Sequence, residues 1–508
     1  MIKDMISLFL EQKEFFYKLF IEHIEITSIS ILIAIVLGLL IGIMLSEYKK
    51  IANVVIGIIN FLYTIPSISM LGFLIPFTGI GNNTAIIALT IYALLPMVRN
   101  TYTGIVQVDE KIVEASIGMG STNLQTLFKV KLPLAFLVIF SGIRNMVTMT
   151  IALGGIASFI GAGGLGVAIY QGITTNNSTM TLLGSLLIAF LALFSDLVLG
   201  FIEYKIKNRK ISIKKVSIIP LILILCFGVF TLFKNENENI IKIATKPMTE
   251  QYILSEILGI LIEENTDLEV SITKGIGGGT SNIHPAMIKG EFDIYPEYTG
   301  TAWNMVLNED SLYKDEYFES LNSNYNNDFD MTWVGMYGFN NTFSVAVRKE
   351  IAEKYDLKNY SDLERVSDEL IFGAEYDFFG RQDGFDDLVD TYHLNFKDTV
   401  AMDIGLKYQA INNGQIDVMN VFTTDGQLSV SDVVVLNDDK NLYPSYLCGN
   451  IILNQTLEKY PELNEIFLTV TDLISDDDIS RMNYLVESEG MSVIDVSKDF
   501  LKSKNLIN

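Results

Sequence analysis

The chain has 508 residues, 49% of them hydrophobic, and a formal net charge of −24 that is unevenly spread: up to Asn239 there are 17 Lys and Arg against 13 Asp and Glu, and beyond it 19 against 47. A strongly acidic second half excludes nucleic acid as its partner, because like charges repel. No GxxxxGK[ST] run is present, so the chain carries no phosphate-cradling loop of its own for ATP. Cys226 and Cys448 are too few for a disulfide framework or a zinc site, so neither a metal, another cofactor nor a catalytic constellation is expected.

Residues 1–23 mix charge with Phe, Leu and Ile and predict an amphipathic helix at a membrane interface. They lack the short apolar core ending in small residues that marks a signal peptide. About 20 apolar residues cross a bilayer, and six such runs follow, at 26–46, 51–77, 84–98, 134–159, 181–202 and 216–233. The first five make one membrane domain over 24–207. The sixth, with the polar stretch after it, predicts an anchor and tether over 208–239 that raises the local concentration of whatever follows. Lys49, Lys50, Arg99, Lys111, Lys129, Lys131 and the basic run 205–215 fall between alternate spans, whereas the connections 79–83 and 161–178 carry no Lys or Arg. Basic loops stay in the cytoplasm, which puts the N-terminus and everything after Phe233 outside. Arg144 and Asp196 stand within spans, where they are expected to pair or to snorkel.

From Ile240 short apolar strands alternate with amphipathic helices: strands at 240–244, 268–273 and 293–295, helices at 249–264 and 281–289. This alternation predicts α/β architecture with parallel sheets. About 270 residues suit two lobes, with 335–343 leading into a strand at 344–347 that crosses to the second. A small ligand would sit in the cleft between them. The fold class expected is therefore multi-domain: an all-α, six-span membrane domain followed by an extracytoplasmic two-lobed α/β domain over 240–508.

Residues 114–133, EASIGMGSTNLQTLFKVKLP, form a polar interruption between two apolar runs. They resemble the EAA loop of permeases in ATP-binding-cassette importers. The resemblance implies that Glu114 opens a coupling helix, that Gly120 makes the turn after it, that Pro133 stops the second part, and that the loop docks on a separate cytoplasmic ATPase. The glycines of 154–155 and 161–166 resemble the outer gate of such permeases, a flexible loop being the alternative. The stretches 242–250, 278–282, 293–301, 337–342 and 422–426 resemble the substrate-binding protein of glycine betaine, carnitine and choline importers. The whole chain thus resembles the fused permease and binding subunit of that family, including its ergothioneine-uptake branch.

That resemblance implies a homodimer with two copies of the ATPase in a bacterial cell membrane, and a quaternary-ammonium ligand. A trimethylammonium group has no N–H to donate, so aromatic faces are its natural partners. The family pattern places Tyr298, Tyr337 and Phe422 as such rings, with Trp303, Tyr376, Phe378 and Phe379 as further candidates and Met248, Thr299 and Thr423 beside them. For a ligand carboxylate, Thr280 and Ser281 start a helix whose free N–H groups favour anions, and Arg381 offers a planar fork. His284 is expected at the surface or as a cap. Val400-Ala401 stand where betaine-binding relatives carry Tyr-Pro, which removes a ring and favours a larger zwitterion such as ergothioneine. A membrane-anchored sensor is the rival reading, and it would need no ATPase dock.

Overall fold

The computed structural model describes residues 2–175, 177–208, 239–381, 383–443 and 445–507. The sixth predicted span, at 216–233, lies outside them, with the basic residues 209–215, Cys226 and most of the tether. The chain divides into two compact units, one helical and one α/β.

The helices of the first 208 residues are α1 Ile2–Glu11, α2 Lys13–Glu47, α3 Lys49–Thr64, α4 Ser67–Thr78, α5 Asn82–Val106, α6 Glu110–Gly118, α7 Asn123–Thr126, α8 Leu132–Leu153, α9 Gly166–Thr174 and α10 Ser178–Lys207. The predicted interfacial helix does not end at residue 23. The chain leaves helical geometry at Gln12, and α2 then runs 35 residues straight into the first span, since nothing between 13 and 25 is a Gly or Pro that would break it. The predicted span at 51–77 is bent by 99° between α3 and α4. Pro66 has no N–H to give a helix and forces Ile65 into extended backbone, as a residue preceding proline must. The Tyr92 hydroxyl on α5 donates to the carbonyl of Ile65 that this break leaves unpaired. Among the described residues four helical runs are long and apolar enough to cross a membrane, or five with the bent pair counted as one. The membrane domain is therefore present, with fewer spans seen than the six expected.

Helix α5 is the centre of the helical unit. Its Ala85, Ala88, Ala93 and Met97 are buried, and glycines of its neighbours let backbones close in: a Cβ on Gly42 of α2 would come within 2.5 Å of Thr101, and one on Gly142 of α8 within 2.5 Å of Asn100. Such small-residue contacts drive helix association where lipid offers no hydrophobic force. At one end of the unit, Gly81 N–H donates to the Ile160 carbonyl at 3.0 Å and Gly163 N–H to Asn82 Oδ1 at 3.1 Å. At the other, Lys131 pairs with Glu47 at 3.0 Å. The two connections without Lys or Arg thus meet at one end, and the basic ones lie at the opposite end. Between them Arg144 of α8 grips Asp196 of α10 with both arms of its fork, 2.6 Å each, and reaches Glu203 at 3.3 Å.

Among the described residues the α/β unit has ten strands: β1 Ile240–Ala244, β2 Glu269–Thr273, β3 Ile294–Tyr298, β4 Met331–Val334, β5 Phe343–Arg348, β6 Ile371–Glu375, β7 Asp398–Met402, β8 Val418–Phe422, β9 Val433–Val435 and β10 Cys448–Leu453. They form two five-stranded sheets, β2-β1-β3-β10-β4 and β7-β6-β8-β5-β9, one per lobe. The sheets are mixed rather than parallel. Strands joined by helices within a lobe pair parallel, as β1 does with β2 and β6 with β7. The strands that run against their neighbours are β5, which arrives from the first lobe, and β10, which returns to it. The two crossing segments also pair with each other: Tyr337 N–H donates to the Cys448 carbonyl at 2.9 Å and Asn341 N–H to that of Tyr446 at 3.1 Å, around an antiparallel bridge between Asn340 and Leu447. The lobes are hinged on a two-stranded ribbon.

Candidate functional site

At the basic end of the helical unit the loop expected to couple to an ATPase is a helix pair. Asp109 caps α6 by accepting from Lys111 N–H at 2.9 Å, and Gly120 turns the chain at φ +87°, a conformation that a Cβ disfavours. Thr122 and Gln125 form a capping box that starts α7. Ser116 and Thr126 join the two parts at 3.2 Å. Glu114 lies in the middle of α6, exposed, rather than opening it. Pro133 stops nothing. Helix α7, a π-turn at Leu127–Lys131 and α8 continue as one run from Asn123 to Ile160, because a proline in the first turn of α8 needs no N–H and the wide turn before it makes an i to i+5 bond from Leu132 to Leu127. Ile117, Met119, Leu124 and Phe128 are exposed on this loop, Met119 at 82%. They form an exposed apolar group on an otherwise polar loop.

In the first lobe, Glu297 at the end of β3 is fully buried. It accepts from the Lys246 ammonium, from the Thr280 hydroxyl at 2.6 Å and from Tyr298 N–H at 2.7 Å. Thr280 is therefore committed to a carboxylate of the protein, and only the exposed Ser281 beside it is open to solvent. Tyr298 presents its ring to the Lys246 ammonium at 4.8 Å and donates its hydroxyl to Glu250, with Gln251 also beside that hydroxyl. Glu250 further accepts from Asn341 at 2.8 Å and from Thr424 of the second lobe at 2.6 Å. Burial pushes its carboxyl up, and these three donors partly offset that. Thr299 is pinned to the returning segment through Leu447 N–H at 3.2 Å.

Arg381 reaches from the second lobe with its fork already filled. It binds Asp383 at 2.7 and 2.6 Å and touches Thr301 and Met305 of the first lobe at 3.3 and 3.0 Å. Its guanidinium lies 5.3 Å from the Phe343 ring and 5.9 Å from that of Tyr446. Phe422 packs on Phe343 at 5.1 Å and carries the buried Lys407 ammonium 4.9 Å from its ring. The expected clamp is thus an internal ion pair among rings. Tyr337 is a core residue, fully buried with its hydroxyl on Asn450 at 3.0 Å. Phe378 is also core, and the half-buried Phe379 packs beside it on Phe372. Tyr376 points to solvent, and Trp303 stacks on Tyr317 at 5.2 Å. Thr423 is exposed and bonds Asn340 across the hinge at 3.2 Å. His284 is buried against Tyr295 rather than at the surface, and burial lowers its pKa to about 4.

Sequence reasoning did not single out Lys246, Glu250, Glu297, Phe343, Asp383, Lys407 or Tyr446 as members of the site. The available signal was charge at the ends of apolar strands, as with Lys246 after β1 and Glu297 in β3. Met248 sits with Glu250, Asn341, Lys407, Asp425 and Glu487 around a cavity of about 30 Å³ between the lobes, room for about one water. Chemically, the cleft offers ring faces that already hold cations, the carboxyls of Glu250, Glu297, Asp383, Asp425 and Glu487, and the ammonium groups of Lys246 and Lys407.

Residues 239–503 match the substrate-binding domain of ABC-type glycine betaine transport systems, and residues 34–208 match the binding-protein-dependent transport system inner membrane component. The chain is 38% identical, over 94% of its own length and 88% of the relative's, to the ergothioneine transport permease/ergothioneine binding protein EgtU of Helicobacter pylori (strain G27). Its second half is 32% identical to the carnitine transport binding protein OpuCC of Listeria monocytogenes, over 53% of this chain and 88% of that one. Its first half is 38% identical to the glycine betaine/carnitine/choline transport system permease protein OpuCD of Bacillus subtilis (strain 168), over 36% of this chain and 81% of that one. Matched in both units and along nearly its whole length, the chain belongs to the fused permease and substrate-binding subunits of ATP-binding-cassette importers of the glycine betaine type.

Proposed function

We propose that the α/β unit captures a zwitterionic trimethylammonium compound, ergothioneine foremost, and that the helical unit passes it inward. In this family the subunits are transporters rather than enzymes, and ATP is hydrolysed on a separate subunit. The observation that carries the ligand class is the set of ring faces occupied by the protein's own cations: Lys246 on Tyr298, Arg381 on Phe343 and Tyr446, Lys407 on Phe422. A ligand cation entering the cleft takes over such faces, with Met248 and Thr423 at its rim and Thr299 buried beside them, and a ligand carboxylate is left the exposed Ser281, because Thr280 and Arg381 are already bound to Glu297 and Asp383. The full-length likeness to a named ergothioneine transporter favours ergothioneine over carnitine, glycine betaine and choline.

In this reading the basic end of the helical unit is cytoplasmic, the α/β unit is extracytoplasmic, and 216–233 anchors it. Two chains pair, each offering one coupling loop to one of two ATPase copies. The test is uptake by proteoliposomes holding the complex with its ATPase, given each of the four compounds with and without internal ATP. ATP-dependent accumulation of ergothioneine is expected. Tight binding without accumulation would instead make the chain a receptor. Native mass spectrometry of the same complex should show two copies of this chain, and a single copy would overturn the pairing.

A further inference from the structure

The run from the coupling loop to the glycine-rich segment is unbroken. Asn123–Ile160 spans 38 residues, about 57 Å at 1.5 Å per residue, and its last seven residues, Gly154–Ile160, tighten into a 3-10 helix. Whatever moves the coupling loop moves this rod, and its far end is held by α2. Close to where α8 gives way to the tighter helix, His23 Nε2–H donates to the Ile151 carbonyl at 2.9 Å. The adjacent Glu22 carboxylate accepts from Gly164 N–H at 3.1 Å. The contact is close enough to require glycine. A Cβ on Gly154 would meet Thr27 at 2.8 Å and the His23 ring at 3.0 Å, and one on Gly163 would meet the Glu22 carboxylate at 2.4 Å. Gly164 itself sits at φ +103°. His23 is 1% exposed. The other end of α2 is tied to the same rod by Glu47 and Lys131. The glycine-rich segment is thus a packed element gripped by α2, not a flexible loop.

We propose that Glu22 and His23 are positioning residues of the transport cycle: they latch the outer end of the rod to α2, so that its glycine-rich segment is released only when the coupling loop is driven. This rests on the transport reading above. The latch spends two hydrogen bonds at one end and an exposed ion pair at the other, few enough to break and reform in each turnover.

The complex with its ATPase in proteoliposomes, with ergothioneine as probe, tests it. His23→Ala and Glu22→Ala, each of which removes one hydrogen-bonding group of the latch, should each raise ligand-free ATP hydrolysis severalfold, while ergothioneine binding is unchanged. His23→Gln, which keeps an N–H near the same place, should restore coupling, as a variant that merely destabilised the helix packing would not. In a chain with Cys226 and Cys448 replaced by Ala, Glu22→Cys with Gly163→Cys should form a disulfide whose oxidation stops uptake and whose reduction restores it. Wild-type ATP hydrolysis in both single variants, or undiminished uptake with the disulfide closed, overturns the latch. Wild-type vesicles that accumulate none of the four compounds would instead overturn the transport reading.

Discussion

Tyr298 joins its proposed part in recognition to a part in stability. Its ring faces Lys246 and its hydroxyl serves Glu250, a buried carboxyl that also ties in Asn341 and Thr424. Tyr298→Phe should change binding little, because the ring face survives. The hydrogen bond adds a second effect: leaving a buried carboxyl one donor short costs roughly 1–3 kcal/mol. Thermal unfolding of the purified chain should therefore show a lowered midpoint for Tyr298→Phe, and an unchanged midpoint would remove the hydroxyl from the account. Tyr298→Ala should in addition weaken ergothioneine binding. Glu487 at the cavity rim gives a pH signature. Burial, with Asp425 nearby, pushes its carboxyl up to about 8, against the offsetting Thr249 and Lys407. A carboxyl raised by folding stabilises the fold fully below its ordinary value near 4.5, and loses that contribution as pH rises towards about 8. Melting measured from pH 4.5 to 8 should fall more steeply for wild type than for Glu487→Gln. At this scale Tyr298 stood out by its place in a motif stretch and Arg381 by its planar fork alone. Glu250 was not legible, because it lies 48 residues from Tyr298 and only the fold brings the two together, whereas Asp383 stands two residues from Arg381 and went unread because a local ion pair was not considered.

At the scale of elements, the apolar runs announced the membrane helices, and Gly120 announced its turn. Pro66 carried the bend between α3 and α4 in plain view, yet an uncharged run counted by length alone hides it. The continuity of α2 through position 23 and of the rod past Pro133 was hidden for the opposite reason: charges and a proline suggest boundaries, whereas a helix tolerates exposed charges along its length and a proline in a first turn. The coupling loop yields a prediction here. Gly120→Val forces a branched side chain into the left-handed region, costing about 1–2 kcal/mol, and Met119→Glu places a charge on the exposed apolar patch. Both should abolish ergothioneine-stimulated ATP hydrolysis by the complex while leaving ergothioneine binding, measured by calorimetry, at the wild-type level. Full stimulation in both would show that the ATPase docks elsewhere.

For the whole molecule, the break in charge near Asn239 coincides with the division into a helical and an α/β unit, since apolar spans and an acidic, solvated domain need opposite compositions. Two lobes were legible from length and from the crossing strand after Asn341. The mixed sheets were not, because the direction of a strand depends on where the chain comes from rather than on its residues. That crossing has a mechanical consequence. Two hydrogen-bonded strands resist stretching in their own plane and shear past one another only by breaking bonds, but they bend readily out of plane. The joint between the lobes is therefore stiff in most directions and soft in one. Closure around a ligand immobilises a single bending coordinate in place of the three rotations and three translations lost when free bodies associate. Because the arc is fixed, Thr424 returns to the same carboxyl of Glu250 each time the lobes swing shut.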